Sequence, residues 1–351
     1  MIGISMLTLV PGVMGGSETY ARELTKALER VGRLEYRVFV PPGIEDAGGG
    51  LPTQTVTEYR ATRSAAGRAA AMARAVLAPG RLREAMRLGE LDAIHFPFTV
   101  MLPPPGQVPA ATTILDLQHE EHPEFFSRAQ LLYRRRFYRR PLLESDFVIT
   151  ISEHARRTIL DRYPLEPDRV RAIHLAVDHG TFTADGRARE SFLLYPANAW
   201  PHKNHARLFE AFALVRRERP GLRLVLTGAG HDALTLPDGV ESRGHVPLVE
   251  LVRLYRTAAA VVYPSLYEGF GMPCLEAMAC GAPVAASNVA SLPEVCGDAA
   301  VYLDPNSIES IADAIRRVLD DPPSGGIEQA AKFTWELCAR QHDEVYRTLT
   351  P

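Results

Sequence analysis

Glu268 and Glu276 stand eight positions apart in the run EGFGMPCLE, with Gly269, Phe270, Gly271 and Met272 directly after the first of them. A carboxylate is a poor partner for phosphate, but it accepts hydrogen bonds readily from hydroxyl groups. Glycines allow backbone to come close to a ligand, and a helix start presents N–H groups whose partial positive charge favours an anion. Acids flanking a glycine turn at a helix start therefore suit a molecule with hydroxyls at both ends and a diphosphate in the middle. A nucleotide sugar has that layout. The plainer reading is a tight turn carrying two surface glutamates.

The surrounding chain supplies the elements such a turn needs. Ala258–Pro264 is a short apolar run rich in Val and Tyr, and it reads as a buried strand. Ser265–Gly271 is a loop, Pro273 suits the first turn of a helix, and Gly281 suits the left-handed residue just past its end. Pro283–Ser287 begins a second buried strand. A strand–loop–helix–strand unit implies parallel strands with both sheet faces covered.

With these flanks, EGFGMPCLE matches an E-x7-E motif and resembles the retaining glycosyltransferases of the GT-B fold, specifically family 4, also called glycosyltransferase group 1. The resemblance implies that Glu268 contacts the donor sugar, that Glu276 holds the ribose, and that the backbone of Gly269, Phe270, Gly271 and Met272 holds the diphosphate. Lys203, in the run ANAWPHKNH, matches the family lysine on the donor diphosphate, where an ammonium stabilises charge developing on the leaving group. The same resemblance assigns Gly15 and Gly16, after the first strand, to a place near donor phosphate and acceptor. It assigns Gly228 and the Gly244-His245-Val246 turn to the nucleotide, with Val246 in a segment whose backbone reads the base.

Two departures from the family pattern matter. Asn198 stands where many members carry an arginine, so one positive charge is missing and His202 or a backbone amide would take its share. Leu115, in Thr113-Ile114-Leu115-Asp116, replaces a family histidine near the reacting centre. His119 is the candidate to substitute for it as a catalytic residue; the alternative is an ordinary loop histidine. His119 and His122 have metal-like spacing but no further ligand in register, so neither metal nor cofactor is expected. No G-x-S-x-G elbow or paired catalytic Cys and His provides a protein nucleophile.

At 351 residues the chain has room for two ordinary domains, and 46% hydrophobic with 23% charged residues is a globular composition. A formal net charge of −3 argues against nucleic acid as a partner. The first 180 residues carry 23 Lys and Arg against 21 Asp and Glu, the rest 16 against 21. Arg60–Arg87 holds seven arginines and one glutamate, and Arg128–Arg140 holds six arginines and no acid. In Arg134–Arg140 the arginines mix with Phe and Tyr, which makes either a solvated helix face or a contact for anionic lipid and a lipid-phosphate-linked acceptor. Ile2–Val10 lacks a basic leader, no apolar run is of membrane-spanning length, and Cys274, Cys280, Cys296 and Cys338 fit neither disulfide nor metal spacing. The expected setting is cytoplasmic, peripheral to the inner membrane face if lipid is bound.

Strand and helix patterns alternate along the whole chain, implying an α/β protein with two Rossmann-like doubly wound domains facing a cleft. Strands are expected at Ile2–Val10, Glu35–Val40, Thr53–Thr57, Asp92–Phe96, Ala111–Leu117, Asp146–Ile151 and Val170–Leu175. Ser17 should cap the first helix, and Arg60–Leu88 should be helical. A second series starts at Ser191–Pro196, so residues 1–180 form an acceptor-side domain and 181–331 a donor-binding domain. The last helix, Phe333–Leu349, is expected to return residues 332–351 to the first domain, as in GT-B proteins. The activity implied is retaining transfer of a hexose from a UDP- or GDP-linked sugar to a glycan, lipid-linked or small-molecule acceptor. A nucleotide-sugar sensor without turnover, and a GT-B nucleotide-sugar epimerase, are the alternatives.

Overall fold

The computed structural model describes residues 1–60 and 65–350. The chain divides into two compact units, one of Met1–Leu175 with Trp335–Pro351 and one of Ala176–Thr334. Among the described residues, the first unit holds a seven-stranded sheet of β1 (Ile2–Ser5), β2 (Tyr36–Val40), β3 (Thr53–Thr55), β4 (Ala93–Phe96), β5 (Ala110–Thr113), β6 (Phe147–Thr150) and β7 (Val170–Ala172). Its order is β3-β2-β1-β4-β5-β6-β7, every pair parallel.

The second unit has a six-stranded parallel sheet of β8 (Glu190–Pro196), β9 (Arg223–Thr227), β10 (Val240–Ser242), β11 (Ala258–Tyr263), β12 (Val284–Ser287) and β13 (Val301–Leu303), in the order β10-β9-β8-β11-β12-β13. Phe192–Tyr195 and Ala260–Tyr263 in the two central strands are fully buried, as strands covered on both faces must be. The strand order reverses between β8 and β11. Connections leave to opposite faces there, opening a crevice at the strands' carboxyl ends, the usual ligand position in such sheets.

Helices form where apolar residues recur at helical spacing. In Ile308–Asp320, Ile311, Ile315 and Val318 are buried, and the Ser307 hydroxyl accepts the Ser310 amide at 3.1 Å to cap the start. In Met272–Ala279, Pro273 occupies the first turn. The helix ends in a Schellman motif: Gly281 at φ 73° donates to Met278, and Ala282 donates to the Ala277 carbonyl.

Several sequence expectations are corrected. The strand expected over Ile2–Val10 stops at Ser5; Leu9 instead donates to Met6 in a turn, and Leu7, Leu9 and Val10 are buried without sheet partners. The first helix, Gly16–Val31, starts at an uncapped Gly15, and the Ser17 hydroxyl donates to the Met14 carbonyl at 2.8 Å rather than capping. β5 ends at Thr113, short of the expected Leu117. The helix expected over Arg60–Leu88 is two, Ala65–Leu77 and Pro79–Ala85, with Pro79 at the break; residues 61–64 of that stretch lie outside the described residues.

The last helix, Trp335–Leu349, packs on Gly16–Val31 within the first unit. Arg30 and Glu336 pair at 2.6 Å across that contact, and His342 Nε2 meets the Tyr20 hydroxyl at 2.8 Å. No helix among the described residues is long and apolar enough to cross a membrane.

Candidate functional site

Two loops at the switch point of the second sheet bring together the residues singled out by sequence. The loop after β8 carries Asn198 and Lys203, and the loop after β11 carries Glu268. They are bonded directly: the Leu266 amide donates to the His202 carbonyl at 2.8 Å. Asn204, in the left-handed region at φ 62°, donates from Nδ2 to the Pro264 and Pro305 carbonyls at 3.0 and 2.7 Å. The buried Tyr195 hydroxyl donates to the Lys203 carbonyl. The loop is thus fixed from three strands.

Lys203 is buried, and its ammonium donates to Glu268 Oε1 at 2.6 Å and to the Tyr263 hydroxyl at 2.8 Å. Their side chains are 9% and 11% exposed, so solvent screens the ion pair weakly. The Tyr263 phenol is pushed well above its ordinary pKa, chiefly by burial and then by the nearby Glu268 charge, so it stays a neutral donor or acceptor.

The turn from Glu268 to the helix is held from below. The buried Ser291 hydroxyl lies 2.8 Å from both the Glu268 and the Phe270 carbonyls. Phe270 points its ring into the core, 5.9 Å from the Phe333 ring, so only its backbone remains for a ligand. Gly271 sits at φ 112°, and a Cβ there would come within 2.6 Å of Leu292. Met272 opens the helix, whose first-turn amides face the turn with the positive end of the helix dipole.

Glu276, one turn into that helix, accepts from the buried Tyr255 hydroxyl at 2.8 Å. The residue is half-buried overall while its carboxyl end is enclosed, and that enclosure pushes its pKa up to about 7.

The residues expected at the nucleotide lie on neighbouring loops. Gly228, at φ 133°, donates to the Gly244 carbonyl at 2.8 Å, and a Cβ on it would lie 2.7 Å from the Ala197 carbonyl oxygen. Asn198 is not aimed at an anion: its Oδ1 accepts the Ala229 amide at 2.7 Å, joining the β8 and β9 loops. The amide that replaces the family arginine thus braces the loop. Val246 is half-buried, and His245 is exposed beside it.

In the first unit, Gly15 and Gly16 are exposed, and a Cβ on either would meet nothing within 4 Å. His119 is corrected. It lies in the four-residue helix Gln118–Glu121, fully buried, with Tyr138 at 4.6 Å and Phe126 at 6.5 Å edge-on to its ring. Neither ring nitrogen has a hydrogen-bond partner, and burial pushes its pKa down to about 4. The ring is closed off from solvent, so in this conformation it packs rather than presents itself to a reacting centre. Among the described residues no three His, Cys, Asp or Glu side chains cluster as a metal site.

Sequence reasoning missed Tyr263, Ser291, Asn204 and Tyr255, each of which holds a site residue or its loop. Tyr263 closes a strand and Ser291 opens a helix, and neither position signals a hydrogen-bond partner many residues away in sequence. Only the sheet order makes them neighbours.

Comparison with known proteins agrees with this layout. Residues 184–334 match the model for glycosyl transferases group 1, and residues 14–181 match the model for glycosyltransferase family 4. The O-antigen chain mannosyltransferase B of Escherichia coli is 32% identical over 68% of this chain and 70% of its own length. The MMP alpha-(1->4)-mannosyltransferase of Mycolicibacterium hassiacum is 28% identical over 57% of this chain and 53% of its own. Among solved structures, sucrose-phosphate synthase from Thermosynechococcus elongatus superposes with a TM-score of 0.74 at 21% identity, covering 99% of this chain and 98% of that one. Anabaena Alr3699/HepE in complex with UDP-glucose superposes at 0.72 with 17% identity, covering 99% of each. Two parallel Rossmann-like sheets in this order, the Lys203–Glu268 switch-point loops and these relatives together show that the chain belongs to the group 1, or family 4, glycosyltransferases and has the GT-B fold.

Proposed function

We propose that this glycosyltransferase moves a hexose, with mannose the first to test, from a nucleoside-diphosphate sugar to a glycan or lipid-linked acceptor with retention of anomeric configuration. The observation that carries the reading is the buried Lys203–Glu268 pair beside the start of the Met272–Ala279 helix, at the switch point of the second sheet. Several curated relatives are mannosyltransferases, which supports the choice of sugar.

In this reading Lys203 and the amides of Gly269–Met272 stabilise the departing diphosphate, Glu268 orients the hexose through its hydroxyls, and Glu276 holds the ribose. The bond from the anomeric carbon to the phosphate oxygen breaks while the acceptor oxygen bonds to the same face of that carbon. The acceptor proton passes to a phosphate oxygen of the leaving group, so no protein nucleophile takes part. Charge is met by Lys203 and the helix dipole, and no metal is required. Incubating the protein with GDP-mannose or UDP-glucose, with and without a mannose oligosaccharide, tests it. Acceptor-dependent lengthening with an α linkage, unchanged by EDTA, is expected; release of free sugar or an epimerised nucleotide sugar alone would overturn it.

We also propose that the helix Arg128–Glu144 touches anionic lipid. Arg135 is tied to Glu120 at 3.1 Å, Arg140 to Glu144 at 2.7 Å, and Arg134 lies 4.6 Å over the Phe126 ring. Arg136 and Arg139 are left exposed without an ion pair among the described residues, alongside Leu132 at 74% and Tyr133 at 42% exposure. Cations with apolar side chains on one helix face suit an anionic bilayer surface. Co-sedimentation with phosphatidylglycerol vesicles but not phosphatidylcholine vesicles is expected, and equal behaviour with both would reject it.

A further inference from the structure

Trp200 is 55% exposed on the loop that carries Lys203. Its surroundings are otherwise fixed. Ala199 donates to the Ala229 carbonyl at 2.9 Å, the Lys203 amide donates to the Trp200 carbonyl at 2.9 Å, and Leu266 donates to the His202 carbonyl at 2.8 Å. Pro201 follows directly and confines Trp200 to extended backbone, observed at φ −88° and ψ 148°. The ring has one aromatic neighbour, His202, at 5.7 Å, and its indole N–H makes no hydrogen bond among the described residues. A large apolar ring is thus held on rigid backbone and left uncovered, three residues from the site cation and on a loop bonded to the loop of Glu268.

An indole face is electron-rich, and the C–H bonds on one face of a pyranose present weakly positive hydrogens to such a surface. We propose that Trp200 is a stacking platform for a pyranose ring, either the donor hexose or a saccharide of the acceptor. The proposal rests on the glycosyltransferase reading above and deepens it by naming a residue outside the motif that selects for sugar. The loop bonding to Glu268, the residue assigned to the hexose, favours sugar over nucleobase. Rigid placement means that stacking costs little ordering of the protein.

The chain has two tryptophans, and the other, Trp335, is 4% exposed in the first unit, so acrylamide quenching of emission reports chiefly on Trp200. Quenching is measured with GDP or UDP alone, with GDP-mannose or UDP-glucose, and with α-mannotriose, while a melting shift records binding in each arm. At least about twofold protection by a sugar nucleotide beyond its bare diphosphate identifies the donor hexose, and protection by mannotriose alone identifies the acceptor. Equal protection by the bare diphosphate overturns the proposal in favour of base stacking. A melting shift without protection in any arm overturns it and leaves the donor-binding reading standing; no shift with any nucleotide sinks that reading and this proposal with it. In turnover, Trp200→Ala should lower kcat/KM about tenfold through KM at unchanged Tm, with Trp200→Phe recovering most of it. A loss confined to kcat would reject a stacking role.

Discussion

The Lys203 ammonium donates to Glu268 Oε1 at 2.6 Å, so the cation assigned to the diphosphate and the acid assigned to the sugar hold each other. An ammonium has three N–H donors. One goes to Glu268 and one to Tyr263, which leaves the third for a phosphate oxygen. Glu268 likewise keeps a second carboxylate oxygen for hydroxyls. On that assignment the pair need not break to admit ligand, and its two members can be separated by experiment. Lys203→Ala strands a carboxylate in a largely enclosed site, a change that costs about 3–5 kcal/mol. Turnover should fall roughly 100- to 1000-fold. Glu268→Gln keeps an oxygen for Nζ but removes its counter-charge, so its Tm should fall, by less than in Lys203→Ala, while turnover is lost. Thermal unfolding and a transfer assay on both variants check this; wild-type turnover in Glu268→Gln would remove Glu268 from the reaction.

If Glu276 holds the ribose as proposed, nucleotide binding depends on pH. Its carboxyl releases its proton at about 7 in the folded protein, because enclosure disfavours the charge. An ionised carboxylate accepts from both ribose hydroxyls, whereas a protonated one has to give up an acceptor. Affinity for UDP or GDP should therefore weaken as pH falls through about 7, and Glu276→Gln should flatten the dependence. Stability has the opposite slope. The unfolded carboxyl ionises near 4.5 and the folded one near 7, so the folded state binds more protons in between and this group's contribution declines as pH rises across that window. Calorimetric titration of UDP and GDP from pH 5.5 to 8 checks the binding, and a parallel series of melting curves checks the stability.

Glycine substitutions separate architecture from contact. Gly228 has φ 133°, and a Cβ there would sit 2.7–2.9 Å from backbone atoms of Ala197 and Asn198. Backbone cannot yield as a side chain does, so Gly228→Ala should destabilise the second unit by at least about 1–3 kcal/mol. Gly16 faces open space, with φ outside the left-handed region. Gly16→Ala should leave the unfolding free energy within about 0.5 kcal/mol of the parent's, so that any lost activity in it reports a ligand near the loop. Chemical denaturation of both variants alongside a transfer assay gives the comparison.

How much of this was legible in the sequence follows from which interactions are local. The alternating strands, the Pro273 start and the Gly281 stop of the site helix depend on residues a few positions apart, and they stand where the sequence puts them. Strand ends were overrun at Val10 and Leu117 because buried apolar residues continue past the last sheet hydrogen bond. Apolar patterning reports burial, not pairing. Asn198, a departure from the family pattern, and His119, the candidate to stand in for the histidine missing at Leu115, were legible as positions but not as to purpose. One turns to an amide 31 residues away, and the other is enclosed by Phe126 and Tyr138.

His119 follows from that distinction. Two buried nitrogens without a hydrogen bond, Nε2 having only the Glu120 carboxylate at 3.7 Å, cost stability, on the order of 1–3 kcal/mol each by the usual desolvation penalty. His119→Phe keeps a flat ring against Tyr138 and removes both orphan groups. Its Tm should be equal to or above the parent's, and kcat should be unchanged. A fall in kcat of tenfold or more, at retained Tm, would show that the ring turns out to meet substrate and would give it the catalytic role that the sequence left open beside that of a loop histidine.

The last helix is held by a buried chain of polar groups whose proton positions are fixed from one end. His342 Nδ1 lies 2.8 Å from the Cys338 carbonyl, which can only accept, so Nδ1 carries the proton and Nε2 accepts from the Tyr20 hydroxyl at 2.8 Å. Tyr20 must then accept from Thr113 at 2.9 Å, Thr113 from His95 Nε2 at 2.8 Å, and His95 Nδ1 from the Tyr346 hydroxyl at 2.8 Å. Both histidines are neutral in this arrangement. Burial pushes His342 down to about 4 and His95 well below its ordinary value, with the neighbouring His342 adding to the shift at His95. An unfolded histidine takes up a proton near 6.5, so the unfolded state binds more protons below that pH and stability falls as pH drops from about 6.5 towards about 4. A second proton on either ring would also replace an acceptor in the chain with a donor facing a donor. Tm should therefore decline over that range, with hydrogen exchange rising first along Trp335–Leu349. His342→Gln, which keeps a donor and an acceptor on one side chain, should lower Tm at pH 7.5 but reduce the acid slope. An unchanged slope in that variant would show that other groups govern acid sensitivity.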